Sequence, residues 1–133
     1  MSREMEYTWP DNFSDDIPPE DAVPAAGLVY RLVDSIPPTE KDFLPYNIEK
    51  PSYEPPDDRC RIRSFGISTW SKKSKIVKAR EKYPAAEQFG NKLIASGDLV
   101  AELGVIQRSR SGHVTLWKQV GSKPHLHVCN EEN

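Results

Sequence analysis

The chain has 133 residues, about one domain's worth, with a formal charge of −2, twelve prolines and two cysteines. No stretch approaches the ~20 apolar residues of a membrane span, no apolar core follows a basic start as in a secretory leader, and Cys60 and Cys129 are too few for a disulfide framework. The expectation is a cytoplasmic chain with reduced thiols, away from membranes.

The small net charge hides a polarity. Residues 1–58 hold fourteen acids against four bases; residues 59–133 hold six acids against fourteen bases. Ten of the twelve prolines precede residue 57. Residues 1–26 therefore read as an acidic, proline-rich arm, since such sequence buries too little apolar surface to offset its ordering entropy. Tyr7, Trp9 and Phe13 interrupt that pattern. Three aromatics suit docking on the protein's own core better than solvent. Residues 27–133 read as one α+β domain.

Within it, Gly27 opens a β-branched apolar run, Leu28–Val33, that ends at Pro37 and reads as a strand. Thr39-Glu40-Lys41-Asp42 has the spacing of a capping box, and Pro45 stops the helical turn it starts. Residues 45–58 read as a proline-rich loop. Phe65–Trp70 reads as a second strand. Residues 72–83 are the main helix, with Ile76, Ala79 and Tyr83 at helical spacing and Pro84 as its stop. Asn91–Ser96 reads as a strand ending at Ser96-Gly97-Asp98. Residues 99–103 form a connector, and residues 104–109 and 113–118 a hairpin around Arg110-Ser111-Gly112. A last strand is expected at His125–Cys129. The fold class is thus α+β: a small, mostly antiparallel sheet of five or six strands with one main helix and an extended N-terminal arm.

Three groups of residues suggest chemistry. On the main helix Lys75, Lys78 and Lys82 line one stripe, and Lys72 and Lys73 sit in its first turn, where the macrodipole disfavours cations by ~0.3–1 kcal/mol each. A bound anion would remove that conflict, and Ser68, Thr69, Ser71 and Ser74 add hydroxyls beside it. The plain alternative is a solvated or arm-covered helix face. Arg59, Arg61 and Arg63 alternate with Cys60 and Ile62, so an extended backbone places all three on one face. Arg108 and Arg110 extend the same basic surface, with Trp70, Tyr83 and Trp117 as candidate stacking groups. His113, Thr115 and Trp117 share one strand face, where a histidine beside a hydroxyl suits either acid–base work or a structural hydrogen bond. His125, His127 and Cys129 alternate as well, but no fourth ligand accompanies them, and no metal is expected.

An ordered set of motifs resembles a group of small uncharacterised bacterial proteins: Tyr30-Arg31, Pro37-Pro38-Thr39-Glu40 with Asp42-Phe43, Gly66-Ile67-Ser68, Ile94-Ala95 with Gly97 and Leu99, Glu102-Leu103-Gly104 with Ile106, and His113 with Thr115 and Trp117. This resemblance spans roughly residues 28–118 and implies a bacterial or phage setting. Arg31 on the first strand and Ser68-Thr69 on the second also resemble the ADP-ribosyltransferase-like fold. There an Arg or His and a Ser hold NAD and a Glu orients the ribose. That resemblance implies NAD as cofactor and Arg31, Ser68 and Glu102 as its residues. Glu102 departs from the pattern, lying in a connector with no Gln or Glu two residues before it.

Three functions follow. The first is an accessory interaction protein, of the toxin, defence-system or inhibitor kind, with no cofactor. It would bind a protein or nucleic acid through its basic half, modulated by the arm. Its anion-binding residues would be Arg59, Arg61, Arg63, Ser71, Lys72, Lys73, Lys75, Lys78, Arg108 and Arg110. The second is an NAD-using transferase or a degenerate relative. The third is an immunity-type protein whose acidic arm engages a basic partner. Deleting residues 1–26 is expected to raise affinity for RNA or DNA.

Overall fold

The computed structural model describes residues 6–82 and 92–132. Strands β1 (Val23–Pro24), β2 (Gly27–Val33), β3 (Ile67–Trp70), β4 (Leu93–Leu99), β5 (Gly104–Arg108), β6 (His113–Lys118) and β7 (Asn130–Glu132) form one antiparallel sheet in the order β1-β5-β6-β3-β2-β4-β7. Helices α1 (Tyr46–Glu49), α2 (Asp58–Ser64) and α3 (Lys73–Lys82) and three short 3₁₀ turns complete the mixed α+β architecture. Seven strands replace the five or six expected, because the arm contributes β1 and the extreme C-terminal stretch contributes β7. No described helix is long and apolar enough to cross a membrane.

Strand alternation builds the core. Val29 and Val33 on β2, Ile67 and Thr69 on β3, Leu99 on β4, Ile106 on β5, and Val114 and Leu116 on β6 share one face by register and are buried. Phe43, Leu103 and Val128 cover that face. Each such side chain contributes about 1.5–3 kcal/mol on burial. The opposite face carries Ser68, Trp70, His113, Thr115 and Trp117. There Trp117 and Val105 are packed under Ile17 of the arm, with Tyr7, Trp9 and Phe13 beside them. Tyr7, Trp9 and Phe13 stack in succession, and Phe13 meets Phe65 edge-on at 5.8 Å. The proline-rich composition of residues 6–26 thus encodes a covering strap rather than a regular element.

The sheet has a seam. β2 pairs with β4 over seven positions, but with β3 only at Tyr30↔Trp70. Beyond that pair the two strands part, and residues 39–50 enter the gap. Carbonyls at and just before β3 are satisfied from this side: Tyr46 N–H donates to Gly66 O (3.0 Å), and the Arg31 side chain donates to Ser68 O (2.7 Å). Asp42 closes the turn as expected, accepting from Thr39 N–H and from Asp34 N–H.

Several boundaries differ from the sequence reading. Ser96-Gly97-Asp98 does not end its strand; β4 runs through it, because a side chain at position 97 would collide with the backbone of His127 and Val128, and glycine allows that close crossing. His125–Cys129 is not a strand. Pro124–Leu126 form a 3₁₀ turn and the strand begins at Asn130. The alternation that placed His125, His127 and Cys129 on one face therefore does not exist. Residues 59–63 are helical, not extended: Asp57 caps α2 by accepting from Cys60 N–H at 2.8 Å.

Candidate functional site

The helical turn of α2 sorts its three arginines. Arg59 and Arg63, four residues apart, share a face; Arg61 points away and pairs with Asp16 of the arm and with Asp58. This corrects the single-faced arrangement expected of Arg59, Arg61 and Arg63. Arg59 and Arg63 make no ion pair among the described residues. They line a polar cleft of about 230 Å³ together with Arg108, Ser109, His113 and Asp21. Arg108 donates to Ala26 O at 2.7 Å, which fixes it beside the arm. Asp21 is the cleft's lone carboxylate and accepts from Gln107 at 3.0 Å.

His113 stands at the junction of two pockets. Behind the polar cleft, a smaller pocket of about 190 Å³ shares Arg63, His113 and Thr115 with it and adds Ser68, Tyr46, Tyr53 and Cys60. His113 Nε2 lies 2.6 Å from Ser68 Oγ, and the Trp70 ring meets the imidazole edge-on at 4.9 Å. Thr115 Oγ1 is 3.5 Å from Nδ1. Burial, helped by the charge of Arg63, pushes the His113 pKa down to about 4. At neutral pH the ring is therefore uncharged, so the cations of this site are its arginines and lysines. The Cys60 hydrogen bonds, aided by Arg59 and Arg63, hold the Asp57 carboxyl below its usual range.

The hairpin tip brings α3 to the same end of β6. Ser71 N–H and Oγ both bond Gly112 O, and the stems of Lys72 and Lys75 lie against Gly112, next to His113. Arg110 is exposed on that tip. Arg59, Arg63, Arg108, Arg110, Lys72 and Lys75 thus gather at one end of β6, from three separate segments. Ser71 serves as a tie to the hairpin. Lys73 faces the other way, 3.5 Å from Glu132. Lys78 is exposed, one helical turn beyond the tip contacts. Trp117 is fully buried, its Nε1–H bonded to Ile62 O at 3.0 Å, and cannot stack on a ligand. Tyr83 lies outside the described residues.

Arg31 and Ser68 meet at the seam, where they line a cleft of about 510 Å³ with Asp42, Glu49 and Trp70. Arg31 is 6% exposed. Its Nε donates to Asp42 O (2.6 Å), its Nη1 to Ser68 O (2.7 Å), and its Nη2 lies 3.1 Å from Glu49. Glu102 does not join them: it is exposed in the 3₁₀ turn before β5 and lines neither this cleft nor the two around His113. The group beside Ser68 is instead His113. Among the described residues no cluster of three or more His, Cys, Asp or Glu has metal-holding geometry.

No family model, curated protein or solved structure matches this chain.

Sequence reasoning located the basic residues but not their grouping. Tyr46, Tyr53 and Cys60, which wall the pocket next to Ser68, were not read as site residues. Asp57-Asp58 after two prolines, an N-cap followed by a first-turn acid, was the available signal for α2.

Proposed function

We propose that the protein binds nucleic acid through the cationic end of β6, with the phosphate backbone tracking Arg59, Arg63, Arg108, Arg110, Lys72 and Lys75. One observation carries this reading: Arg59 and Arg63 project from one face of α2 into a polar cleft without an ion-pair partner among the described residues. A guanidinium pair that makes no ion pair is suited to bidentate phosphate contact. Tyr46 and Tyr53, edge-to-face at 5.0 Å in the neighbouring pocket, offer an aromatic wall to a base. The arm supplies competition, since Asp21 occupies the same cleft. In the bacterial or phage setting that the sequence resemblance implies, such a protein would act as an accessory factor in the cytoplasm.

The test is fluorescence anisotropy with a labelled oligonucleotide across a salt series. Affinity should fall steeply between ~50 and ~200 mM salt, as counterion release requires. Arg59→Glu with Arg63→Glu should weaken binding about 100-fold at ~50 mM salt, roughly tenfold per lost phosphate contact, and flatten the salt slope by about two. Absence of salt-sensitive binding by the wild-type chain would end this reading.

A second reading, an NAD-using transferase or its degenerate relative, is favoured by the meeting of Arg31 and Ser68 in the seam cleft. Two features weigh against turnover. Each Arg31 nitrogen already has a protein partner, and Glu102 lies elsewhere. The immunity-type reading is weakened because Asp16 and Asp21 of the arm are already engaged within the chain.

A further inference from the structure

A separate cavity lies at the far end of β6 from His113. It encloses about 250 Å³ between the arm, the 3₁₀ turn before α1 and the loop after β6, with Phe13, Phe43, Leu44, Phe65, Ile67 and Val120 among its walls. Asn12, Glu40, Lys118, Gln119 and Ser122 also line it, as do Asn47 of α1 and His125 of the last 3₁₀ turn. Asn47 Oδ1 and His125 Nδ1 are buried and have no hydrogen-bond partner among the described residues. Leaving such an atom unpaired costs about 1–3 kcal/mol, and native proteins leave few. Here two occur on segments almost eighty residues apart in sequence, at the wall of one cavity.

Val120, itself a wall residue, is 56% exposed. An exposed apolar side chain on the wall of a cavity suits an apolar ligand better than solvent.

We propose that this cavity binds a small heteroaromatic molecule carrying a ring N–H, of the indole class, with the ring between the phenylalanines and the N–H directed to Asn47 Oδ1 or His125 Nδ1. The aromatic walls select a flat apolar body. The unpaired Asn47 Oδ1 selects a donor on its edge, and His125 Nδ1 accepts one in the Nε2–H tautomer. A pure hydrocarbon would leave both atoms unpaired. A water molecule needs two to four polar partners and finds mostly carbon here. Size agrees: an apolar cavity of about 150 Å³ takes up benzene, so about 250 Å³ leaves room for a bicyclic ring. This site is independent of the cationic cleft, and its failure would leave the nucleic-acid reading intact.

The experiment compares indole with indene, which has the same shape and no N–H, using saturation-transfer NMR titrations on the full chain. Indole should bind about tenfold more tightly, one hydrogen bond's worth. Val120→Trp, at an exposed position that tolerates bulk, should block the mouth and weaken both ligands at least tenfold. His125→Phe, alone and with Asn47→Leu, should reduce the preference for indole while retaining indene. The proposal is overturned if neither ligand binds at millimolar concentration, if indole and indene bind equally to the wild type, or if Val120→Trp leaves binding unchanged.

Discussion

Arg31 and Arg63 flank Ser68 and His113 from opposite sides, and the fold uses them in opposite ways. Arg31 sits in the seam between β2 and β3, 6% exposed, with a backbone carbonyl, a second carbonyl and a carboxylate on its three nitrogens. Its charge is consumed in holding the two parts of the sheet together where ladder hydrogen bonds fail. Arg63 stands half-buried on α2 with no ion pair among the described residues, and its field falls on a neutral histidine. A charge whose donors are all spent on the chain is structural. A charge held near the surface without a partner is available to a ligand, and its repulsion of His113⁺ is the cost of keeping it there.

The sharpest break in this comparison is thermodynamic. Arg31→Met should destabilise the protein by about 3 kcal/mol, because it strands buried carbonyls and a carboxylate that the guanidinium now satisfies. Arg63→Met should stay within about 0.5 kcal/mol of wild type, as for a surface substitution away from such networks. Urea midpoints measure both. Equal losses would mean that Arg63 is as structural as Arg31 and would remove the basis for its ligand role.

The next effect follows from His113. Its folded pKa, about 4, lies below the 6.5 of the unfolded chain. The unfolded state therefore binds more protons between these values, and stability falls as pH drops through this window. The histidine's full contribution is present above about pH 6.5 and is lost progressively towards pH 4. Between pH 7 and pH 5 this one group should remove about 2 kcal/mol, an order-of-magnitude figure from the shift. Groups that face it are Arg63 from α2, Trp70 and Ser68 from β3, and Thr115 from β6. His113→Gln should flatten the pH 7 to pH 5 difference in urea midpoint. Arg63→Met should reduce it in part, since burial is the larger cause. An unchanged slope in His113→Gln would place the titration elsewhere.

The strands were legible where alternation was clean: Leu28–Val33, the Ile67–Trp70 part of the expected Phe65–Trp70, whose first residue instead caps α2, and the 104–118 hairpin needed only period-two burial and a turn signal. The main helix was legible for the same kind of reason, helical spacing of Ile76 and Ala79, and α3 is described over Lys73–Lys82. What escaped was set by long-range contact. Gly97 reads locally as a turn, and only the chain crossing it at His127 and Val128 makes it a strand residue. The arm reads as solvated by composition, yet Ile17 is 4% exposed and β1 pairs with β5. The candidate site was half-legible. Residue types showed the cations, but deciding which of Arg59, Arg61 and Arg63 work together required the helix, and the Ser68–His113 contact required β3 to pair with β6.

The smallest predicted effect concerns the arm, and it replaces the expected result of deleting residues 1–26. That deletion removes Ile17 and Ala25 from the core, the aromatic stack at Phe65, and the strand beside β5. It would unfold or open the sheet rather than expose a ready-made site, so its effect on binding cannot isolate charge. A single carboxylate can. Asp21 lines the cleft of Arg59, Arg63 and Arg108, whereas Asp16 neutralises Arg61 on the outward side of α2. At ~0.15 M salt the Debye length is about 8 Å, so only a carboxylate in near contact competes with phosphate. Asp21→Asn keeps the Gln107 side chain within hydrogen-bond reach and should raise oligonucleotide affinity about threefold at ~50 mM salt, within the ~1 kcal/mol typical of exposed charge pairs. Asp16→Asn should change it less, because the charge it frees points away from the cleft. If the two substitutions act equally, the arm works through overall charge, and the distinction between the two faces of α2 does not govern binding.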